Sequence, residues 1–395
     1  MFRAKMVVTV IVLMLLAIRP VWAVDIEFSA FGDMSLAFSF GDPADKDEAI
    51  LFEQFGTDPN PINLQRGFGI AGTDFVVVAQ LTDRLVFLSE VNLQLERGGT
   101  TEIGLDMERN FLDYRIKDWL NVQVGSFFTP IGFFNRTLYS RAWLMQSIQI
   151  PDLFEEEIAL IPSHETGVNF YGNMPTVGAH SLNYALSITN GRGTDPVSLI
   201  QGRDTSNNKQ VTAMLEWVIP GFRDFRIGLS GWTSKIDTFN LATAPFGTTA
   251  DVTTLEPLEL REIGFTPHLA IYSKPFNLIV EYAFAQQKDL TGSLGGEKFE
   301  LNGIFAELSL NLMGGKLHPY VRYDATNLPK DGGPYYPLRE EGGVITRHFI
   351  PEFKSVIVGA GYDLYAYNRI KAEYIHHMAG PRPEHGIVIQ TAFGF

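Results

Sequence analysis

Apolar and polar residues alternate with a period of two along most of the chain. In residues 26–40 the even-numbered positions are apolar, and the odd-numbered positions are mostly small or polar. Residues 85–96 and 276–288 repeat this pattern. Because successive side chains of a β-strand point to opposite faces, the alternation predicts extended strands that are apolar on one face.

Sixteen segments of this kind can be marked along the sequence. Most have at least the roughly ten residues that a tilted strand needs to cross a bilayer. Two fit poorly, because FVVVAQ within residues 67–81 does not alternate and Pro267 interrupts residues 261–274. The register is open there, and fourteen or eighteen strands also fit. The candidate strands are residues 26–40, 67–81, 85–96, 108–117, 120–129, 164–173, 180–190, 209–219, 225–236, 261–274, 276–288, 299–313, 317–327, 353–365, 369–379 and 386–395.

The links between these segments alternate between tight and long. Tight links such as residues 82–84 and 118–119 are followed by much longer ones. A soluble β-sandwich, the alternative fold, gives no reason for this regularity, whereas bacterial outer-membrane barrels have short periplasmic turns and longer external loops. We therefore predict an all-β fold, a transmembrane antiparallel β-barrel of about 16 strands with both chain ends in the periplasm. The long links are residues 41–66, 97–107, 130–163, 191–208, 237–260, 289–298, 328–352 and 380–385.

Composition agrees with a barrel that crosses a membrane. Hydrophobic residues make up 45% of the chain and aromatic residues 12%, but charged residues only 19%, and there is no cysteine. After the first residues no apolar run is long enough for a spanning helix, which needs about 20 residues. Strands that are apolar on one face reconcile this composition with a membrane location.

The first residues are typical of a secretory signal peptide. Arg3 and Lys5 precede an apolar run over residues 6–18, and a small-residue pattern ends at Ala23. The alternative, a membrane anchor, needs a longer run. We expect a signal peptide over residues 1–23 and a barrel domain over residues 24–395. Removal of the signal peptide takes away three cations and no acids, which changes the formal net charge from −14 to −17. A chain this acidic is poorly suited to binding nucleic acid.

Aromatic residues collect near the predicted tight turns and the end of the chain. Amphipathic rings are typical of the membrane interface, so we expect a periplasmic girdle. The last alternating segment, IVIQTAFGF, ends on Phe395 and resembles the C-terminal signature of outer-membrane barrels, whose final phenylalanine the assembly machinery recognises. The expected girdle is Trp119, Trp217, Phe225, Phe276, Tyr365, Tyr367, Phe393 and Phe395.

The faces opposite the apolar ones carry many charges, which suggests a water-filled lumen. A packed core does not tolerate such a wall, and a barrel of about 16 strands is wide enough to hold an aqueous channel. The alternative is that these charges pair across neighbouring strands. The inward acids are Glu27, Asp33, Glu90, Glu96, Asp113, Glu216, Glu262, Glu281, Glu307, Asp324, Asp363 and Glu373, and the inward bases are Arg109, Arg115, Lys117, Arg226, Arg322 and Lys371.

The third long link, residues 130–163, is long and unusually apolar. Loops of this length are usually functional, and its apolar side chains would be poorly placed on the cell surface. We expect the loop to fold into the barrel and narrow the pore, although it could instead cap the barrel or contact another subunit. The candidate constriction residues are Arg136, Arg141, Glu155, Glu156, Glu157, Arg115, Lys117, Arg322 and Asp324.

The stretches VGSFFTPIGFFN and IPSHETGVNFYG, within residues 119–172, resemble the phosphate-selective porin O and P family. There a glycine-containing strand is followed by a T-P-x-G turn and a long third loop. The resemblance implies a passive channel of sixteen strands, commonly trimeric, that favours anions. The sequence itself departs from this, since the third link sets two arginines against three consecutive glutamates. From those charges we expect a weak preference for cations.

The sequence therefore predicts a porin for small hydrophilic or charged solutes in the outer membrane of a Gram-negative bacterium. The alternative is an outer-membrane barrel with a blocked lumen, either structural or enzymatic. GLSGW lacks the second glycine of a nucleophile elbow, and the adjacent His376 and His377 would point opposite ways on a strand. We expect no enzyme activity, metal, cofactor or nucleic-acid partner. The expected partners are outer-membrane lipid and lipopolysaccharide, the barrel assembly machinery and two further copies in a homotrimer.

Overall fold

A computed structural model describes most of the chain. Its described residues are 24–40, 66–96, 102–139, 144–154, 160–176, 180–192, 207–219, 225–239, 257–329, 339–341, 344–346, 352–378 and 384–395.

Within the described residues, sixteen antiparallel strands close into one barrel. Each strand pairs with its neighbours along the chain, and the first pairs with the last. A separate hairpin, β14 (Arg339–Glu341) and β15 (Val344–Thr346), lies outside the barrel sheet. The barrel strands are β1 (Asp25–Phe40), β2 (Arg66–Thr82), β3 (Leu85–Glu96), β4 (Glu102–Lys117), β5 (Leu120–Phe128), β6 (His164–Pro175), β7 (Ser181–Thr189), β8 (Gln210–Ile219), β9 (Phe225–Phe239), β10 (Pro257–Ser273), β11 (Phe276–Asp289), β12 (Lys298–Leu310), β13 (Leu317–Asn327), β16 (Glu352–Tyr365), β17 (Asn368–His377) and β18 (Glu384–Gly394).

The predicted all-β barrel of sixteen strands is confirmed, including the two segments that fit the pattern poorly. In β2, Val76 and Val78 lie opposite Glu90 and Leu88 of β3, on the inner face. Apolar residues therefore occupy the inner face of β2 as well as its outer face, which hides the alternation. In β10, Pro267 stays in register with β9. Pairing with β11 is interrupted at residues 266–267 and resumes in the same register. The missing N–H of Pro267 therefore removes a ladder bond without ending the strand.

The outer face of the barrel exposes large apolar side chains all round the ring of strands. Phe28 on β1 is 74% exposed and Leu215 on β8 is 56% exposed. Similar residues continue on β10 and β18, such as Ile263 and Ile389. Water would oppose so large an apolar surface, whereas the hydrocarbon of a bilayer suits it. Among the described residues, no helix is both long enough and apolar enough to cross a membrane.

The tight turns lie at one end of the barrel, and β18 closes on β1 there. Ala30 and Phe395 exchange two backbone hydrogen bonds of 2.8 Å, so pairing continues to the last residue. Six of the eight expected girdle residues expose at least a third of their surface near this end, and Phe225 and Phe393 are half-buried. Amphipathic rings in this position suit a membrane interface. The six are Trp119, Trp217, Phe276, Tyr365, Tyr367 and Phe395.

The inner face carries the charges that the alternation assigned to it. Most of these side chains are buried, although Glu27, Arg115 and Lys117 near the tight-turn end are exposed. Charges removed from water need partners, and many of these partners come from the loop after β5. The buried charged residues of the predicted set are Asp33, Glu90, Asp113, Glu216, Glu262, Glu281, Glu307, Asp324, Glu373, Arg109, Arg322 and Lys371.

Candidate functional site

The loop between β5 and β6 folds into the barrel, as the sequence predicts. Its described parts are residues 129–139, 144–154 and 160–163. Their apolar side chains form one cluster with the inner wall of β9 to β12, where each fully buried large side chain contributes about 1.5–3 kcal/mol. The loop contributes Ile131, Phe133, Phe134, Tyr139, Met145, Leu153, Phe154, Leu160 and Ile161, and the wall contributes Trp232, Ala270, Ile279, Ala283, Ala285, Leu301 and Phe305.

A buried asparagine ties the two ends of the loop together. The side-chain amide of Asn135 donates to the carbonyl oxygens of Thr129 and Ser163, both at 2.9 Å. The backbone of Thr129 also donates to Ser163 at 2.8 Å. One side chain therefore satisfies two buried carbonyls at the point where the loop leaves and rejoins the wall.

Glu281 on β11 holds the start of the short helix α1 (Phe134–Thr137). Its carboxylate accepts from the backbone N–H groups of Phe133 at 2.9 Å and Phe134 at 2.6 Å. These groups have no partner within a helix, so a carboxylate there satisfies them and interacts favourably with the helix dipole. The backbone N–H of Gly132 donates to Ser230 Oγ on β9 at 2.9 Å. The loop is thereby fixed to two wall strands by its own backbone.

Arg136 links α1 to a second buried carboxylate, Glu216 on β8. Its guanidinium donates to Glu216 at 2.6 Å and to the Gly132 carbonyl at 2.7 Å. Asn183 donates to the same carboxylate at 2.8 Å, and His268 Nε2 lies 3.1 Å from it. Several partners therefore surround Glu216 and compensate for its removal from water.

The far end of the loop is held by Arg322 on β13. Its guanidinium donates at 2.6 Å to both the Ser147 hydroxyl and the Gln149 carbonyl, and it pairs with Asp324 at 2.7 Å. β13 lies eight positions from β5 in the ring of sixteen strands. The loop therefore reaches the wall opposite its own root.

Two charged residues of β17 hold the same segment. Lys371 donates to the Ser147 carbonyl at 2.9 Å, and Glu373 accepts from the Ile148 backbone at 3.0 Å. Tyr320 of β13 donates to Glu373 at 2.5 Å. Uncharged loop backbone thus provides hydrogen bonds to a charged wall, which satisfies buried groups on both sides.

Between these anchors, a 3-10 helix (Asp152–Phe154) packs against α1. The rings of Phe154 and Phe134 stack with centroids 5.0 Å apart, and both meet the edge of Phe305 on β12. Burial raises the pKa of Asp152 above its usual range, the charge of Asp324 adds to the rise, and Arg322 opposes it. Burial therefore favours the protonated carboxyl, which is less costly to remove from water than the carboxylate.

The loop leaves space beside β4 to β8. A cavity of about 410 Å³ lies between these strands and the root of the loop. Arg109, Arg136 and five carboxamide side chains of β5 to β7 line it, together with aromatic residues such as Phe127 and Tyr171. Polar groups at the surface of this space can replace the hydration of a polar solute.

The predicted constriction residues occupy different places. Arg136 borders the cavity, and Arg115 and Lys117 are exposed near the tight-turn end of β4. Arg322 is 1% exposed, and it lies with Asp324 beneath the loop as an anchor. Four further candidates lie outside the described residues, namely Arg141, Glu155, Glu156 and Glu157.

The anchoring roles of several residues were not apparent from the sequence. Alternation marks Glu216 and Glu281 as inward acids, but it does not reveal that the loop between β5 and β6 supplies their partners. Asn135 gave no signal, because one asparagine in an irregular loop has many possible roles. The lumen-facing carboxamides on β5 to β7 were not predicted either, because the pattern of charges on the inner face does not mark uncharged polar residues.

The architecture is that of bacterial outer-membrane porins. No family model matches the sequence, and no curated protein matches it either. Among solved structures, OmpT of Vibrio cholerae in its trimer form superposes with a TM-score of 0.58 at 11% identity, over 95% of this chain and 100% of that chain. An anion-selective porin from Comamonas acidovorans gives a TM-score of 0.58 at 9% identity, over 94% and 100% of the two chains.

The outer membrane channel DcaP of Acinetobacter baumannii is similar to the same degree. It superposes with a TM-score of 0.57 at 11% identity, over 94% of this chain and 98% of that chain. At such identities the likeness establishes the fold, whose function depends on the residues inside it.

Proposed function

We propose that the protein is a porin, a passive channel through which small hydrophilic solutes diffuse across the outer membrane. The main observation behind this proposal is that the lumen is asymmetric, with the loop on one side and a cavity on the other. The loop between β5 and β6 packs on β9 to β13 and on β16 to β18, and a cavity lined by both polar and apolar side chains remains beside β4 to β8. A loop that narrows an aqueous barrel without occupying this sector suits sieving of solutes by size.

A blocked barrel is the second candidate, because many inner charges are paired. The described pairs Arg322–Asp324 and Arg136–Glu216 lie at the loop's contacts with the wall. These pairs hold the loop, and the cavity of about 410 Å³ remains beside β4 to β8, with Arg136 in its lining. For the enzymatic form of this alternative, the described residues contain no group of three or more His, Asp or Glu side chains placed to hold a metal ion.

Liposome swelling tests the proposed function. Purified, folded protein in liposomes should admit arabinose quickly, sucrose more slowly and stachyose slowest, since the loop limits the passage. Liposomes with heat-unfolded protein are the control. If liposomes with folded protein swelled no faster than these controls for any of the three solutes, the blocked barrel would be favoured.

We further infer several finer properties. Residues 1–23 have the pattern of a cleaved signal peptide. The T-P-x-G turn at residues 129–132, whose glycine adopts φ +65°, supports membership of the phosphate-selective porin O and P family. The lipid-facing exterior supports lipid and lipopolysaccharide as partners, and Phe395 supports recognition by the barrel assembly machinery. The trimer form of the similar OmpT structure supports a homotrimer.

For the pore itself, we infer a constriction at the inner edge of the loop between β5 and β6. Arg136 borders the cavity and supports this assignment. Arg141 and Glu155 to Glu157 belong to the same loop in the sequence. We infer no enzymatic activity and no cofactor.

A further inference from the structure

Five carboxamide side chains meet on three adjacent strands of the inner wall. Gln123 of β5 lies directly opposite Asn169 of β6, and Asn173 of β6 lies directly opposite Asn183 of β7. Asn121 of β5 completes the group, and all five line the cavity of about 410 Å³. Directly opposed residues share one face of a sheet. We call these five residues the amide patch.

We propose that the amide patch binds uncharged polyhydroxylated solutes, that is, sugars, during their passage. The inference rests on the proposed function and names its solute class. The cavity volume is within the range of about 300–1,000 Å³ that is usual for small-molecule sites.

The chemistry of carboxamides matches that of hydroxyl groups. Each carboxamide both donates and accepts without carrying charge, as each sugar hydroxyl does. Asn169 donates to Gln123 at 3.0 Å, and Asn173 donates to Asn183 at 2.7 Å. Each of these bonds uses one hydrogen of an amide group that has two. The remaining hydrogens are available to an incoming solute.

One atom of the patch is buried without a partner. Asn169 is 6% exposed, and its Oδ1 accepts no hydrogen bond from the described residues. A buried acceptor without a partner is unfavourable. Asn169 itself lines the cavity, so a turn of its carboxamide towards the cavity would let a solute hydroxyl donate to Oδ1 and satisfy it.

The charges around the amide patch do not favour an anion such as phosphate. Arg109 pairs with Glu90, and Arg136 pairs with Glu216. A bound phosphate would have to draw these arginines away from buried carboxylates, which is costly. Beyond Arg109, the end of β4 and the following turn carry two cations, Arg115 and Lys117, and two carboxylates, Asp113 and Asp118, so their charges balance.

Aromatic side chains complete the match to a sugar. Tyr171 lies directly opposite Asn121, and its hydroxyl donates to Asp113 at 2.6 Å, which fixes the side chain beside the patch. Phe127, Phe128 and Pro130 line the same cavity. Their apolar surfaces can cover the C–H groups of a sugar ring while the amides bind its hydroxyls.

The test is current block in planar bilayers. Maltose should reduce the current through the wild-type channel in a saturable way, whereas inorganic phosphate at equal ionic strength should not. The double variant Gln123→Met/Asn169→Leu removes the central amide pair and keeps similar volumes. Its half-blocking maltose concentration should rise at least about ten-fold, equivalent to about 1.4 kcal/mol.

The control is the double variant Asn302→Leu/Asn327→Leu. It removes a similar amide pair on β12 and β13, in which Asn327 donates to Asn302 at 3.0 Å. Neither residue lines the cavity. It should be blocked by maltose like the wild type. Three results would overturn the inference. They are open channels that maltose does not block, an unchanged maltose block in Gln123→Met/Asn169→Leu, and a channel that phosphate blocks instead of maltose.

A second measurement separates this inference from the proposed function. Saturation-transfer NMR of maltose with the detergent-folded protein detects binding even if the barrel does not conduct. Transfer that is lost in Gln123→Met/Asn169→Leu and kept in the control supports the sugar site. Absence of transfer to the wild type would refute it, whatever the conductance.

Discussion

At the scale of single residues, Gly132 shows how tightly the root of the loop is built. Its φ of +65° lies in the left-handed region that glycine adopts readily. A β-carbon at this position would overlap Glu281 Oε2. The same carboxylate is held by the backbone N–H groups of Phe133 and Phe134, so it cannot move aside without releasing α1.

Gly132→Ala should therefore loosen the loop between β5 and β6. The backbone strain alone is about 1–3 kcal/mol, and the overlap with Glu281 adds to it. Trypsin should cleave after Arg136 in the folded variant faster than in the wild type, because cleavage requires the loop to leave the wall.

Gly292→Ala is the matched control. Gly292 also has a positive φ, of +79°, but an added β-carbon there would have no atom within 4 Å. This variant should be cleaved after Arg136 at the wild-type rate. Equal rates for Gly132→Ala and Gly292→Ala would mean that the contact with Glu281 does not hold the loop.

The charges of single residues could be assigned to a face from the sequence, but not to a partner. Alternation placed Arg322 and Asp324 on the inner face, and both are there. It could not show that residues 147–150 would cover them, because those contacts join segments more than 170 residues apart. For this reason two predicted constriction residues proved to be anchors beneath the loop.

At the scale of elements, the strands were predictable because each obeys a local rule, the alternation of faces. The start of β4 was missed, since it begins at Glu102 and not at residue 108. The cause is a bulge at Glu108, where Glu90 pairs with Arg109 but Val91 pairs with Met107. A bulge inserts one residue and reverses which positions face outward, so the pattern appears to stop there.

The loop is a second element whose stability can be tested, through its anchor Arg322. Arg322→Met should undock residues 147–150, because it removes three loop contacts and leaves Asp324 buried without its cation, a change that costs about 3–5 kcal/mol. Single-channel records should then show frequent steps between conductance levels.

Two further variants test the reason for this effect. Arg322→Met/Asp324→Leu should be quieter than Arg322→Met, since no buried charge is left unpaired. Lys235→Met breaks the exposed pair with Glu259 on the barrel rim, worth about 0–1 kcal/mol, and should match the wild type. If Arg322→Met gave single-channel records like those of the wild type, the anchoring role of Arg322 would be contradicted.

The final strand provides a prediction about assembly. Deleting Phe395 should reduce the yield of folded protein in the outer membrane strongly, because Phe395 closes the barrel on Ala30 and its side chain is 77% exposed on the barrel surface. Gly394→Ala is the control and should assemble nearly normally. The readout is the heat-modifiable fraction in outer-membrane extracts, and a normal fraction for the Phe395 deletion would refute the assembly role.

At the scale of the whole molecule, ion preference is decided at the narrowest section. Charges that face bulk water are screened within about 8 Å at physiological salt, so the formal net charge of −14 does not set the preference. Glu155, Glu156 and Glu157 belong to the loop that enters the lumen, opposed by Arg136 and Arg141. From this balance we predict a weak preference for cations.

The reversal potential under a gradient of KCl measures this preference. Neutralising all three glutamates to glutamine should shift the potential towards anions. A clear anion preference of the wild type would mean that the arginines dominate the constriction. An unchanged potential after neutralisation would mean that the three glutamates do not face the pore.

The central claim is that the barrel is an open, passive channel, and single-channel recording of purified, folded protein in planar bilayers tests it most directly. The asymmetric lumen predicts steady conductance that is linear in voltage, because a fixed, water-filled passage has no voltage-dependent step. Stepwise insertion events of one size should appear as protein is added. Silent bilayers, with folded protein shown to be inserted, would contradict the account and establish a blocked barrel.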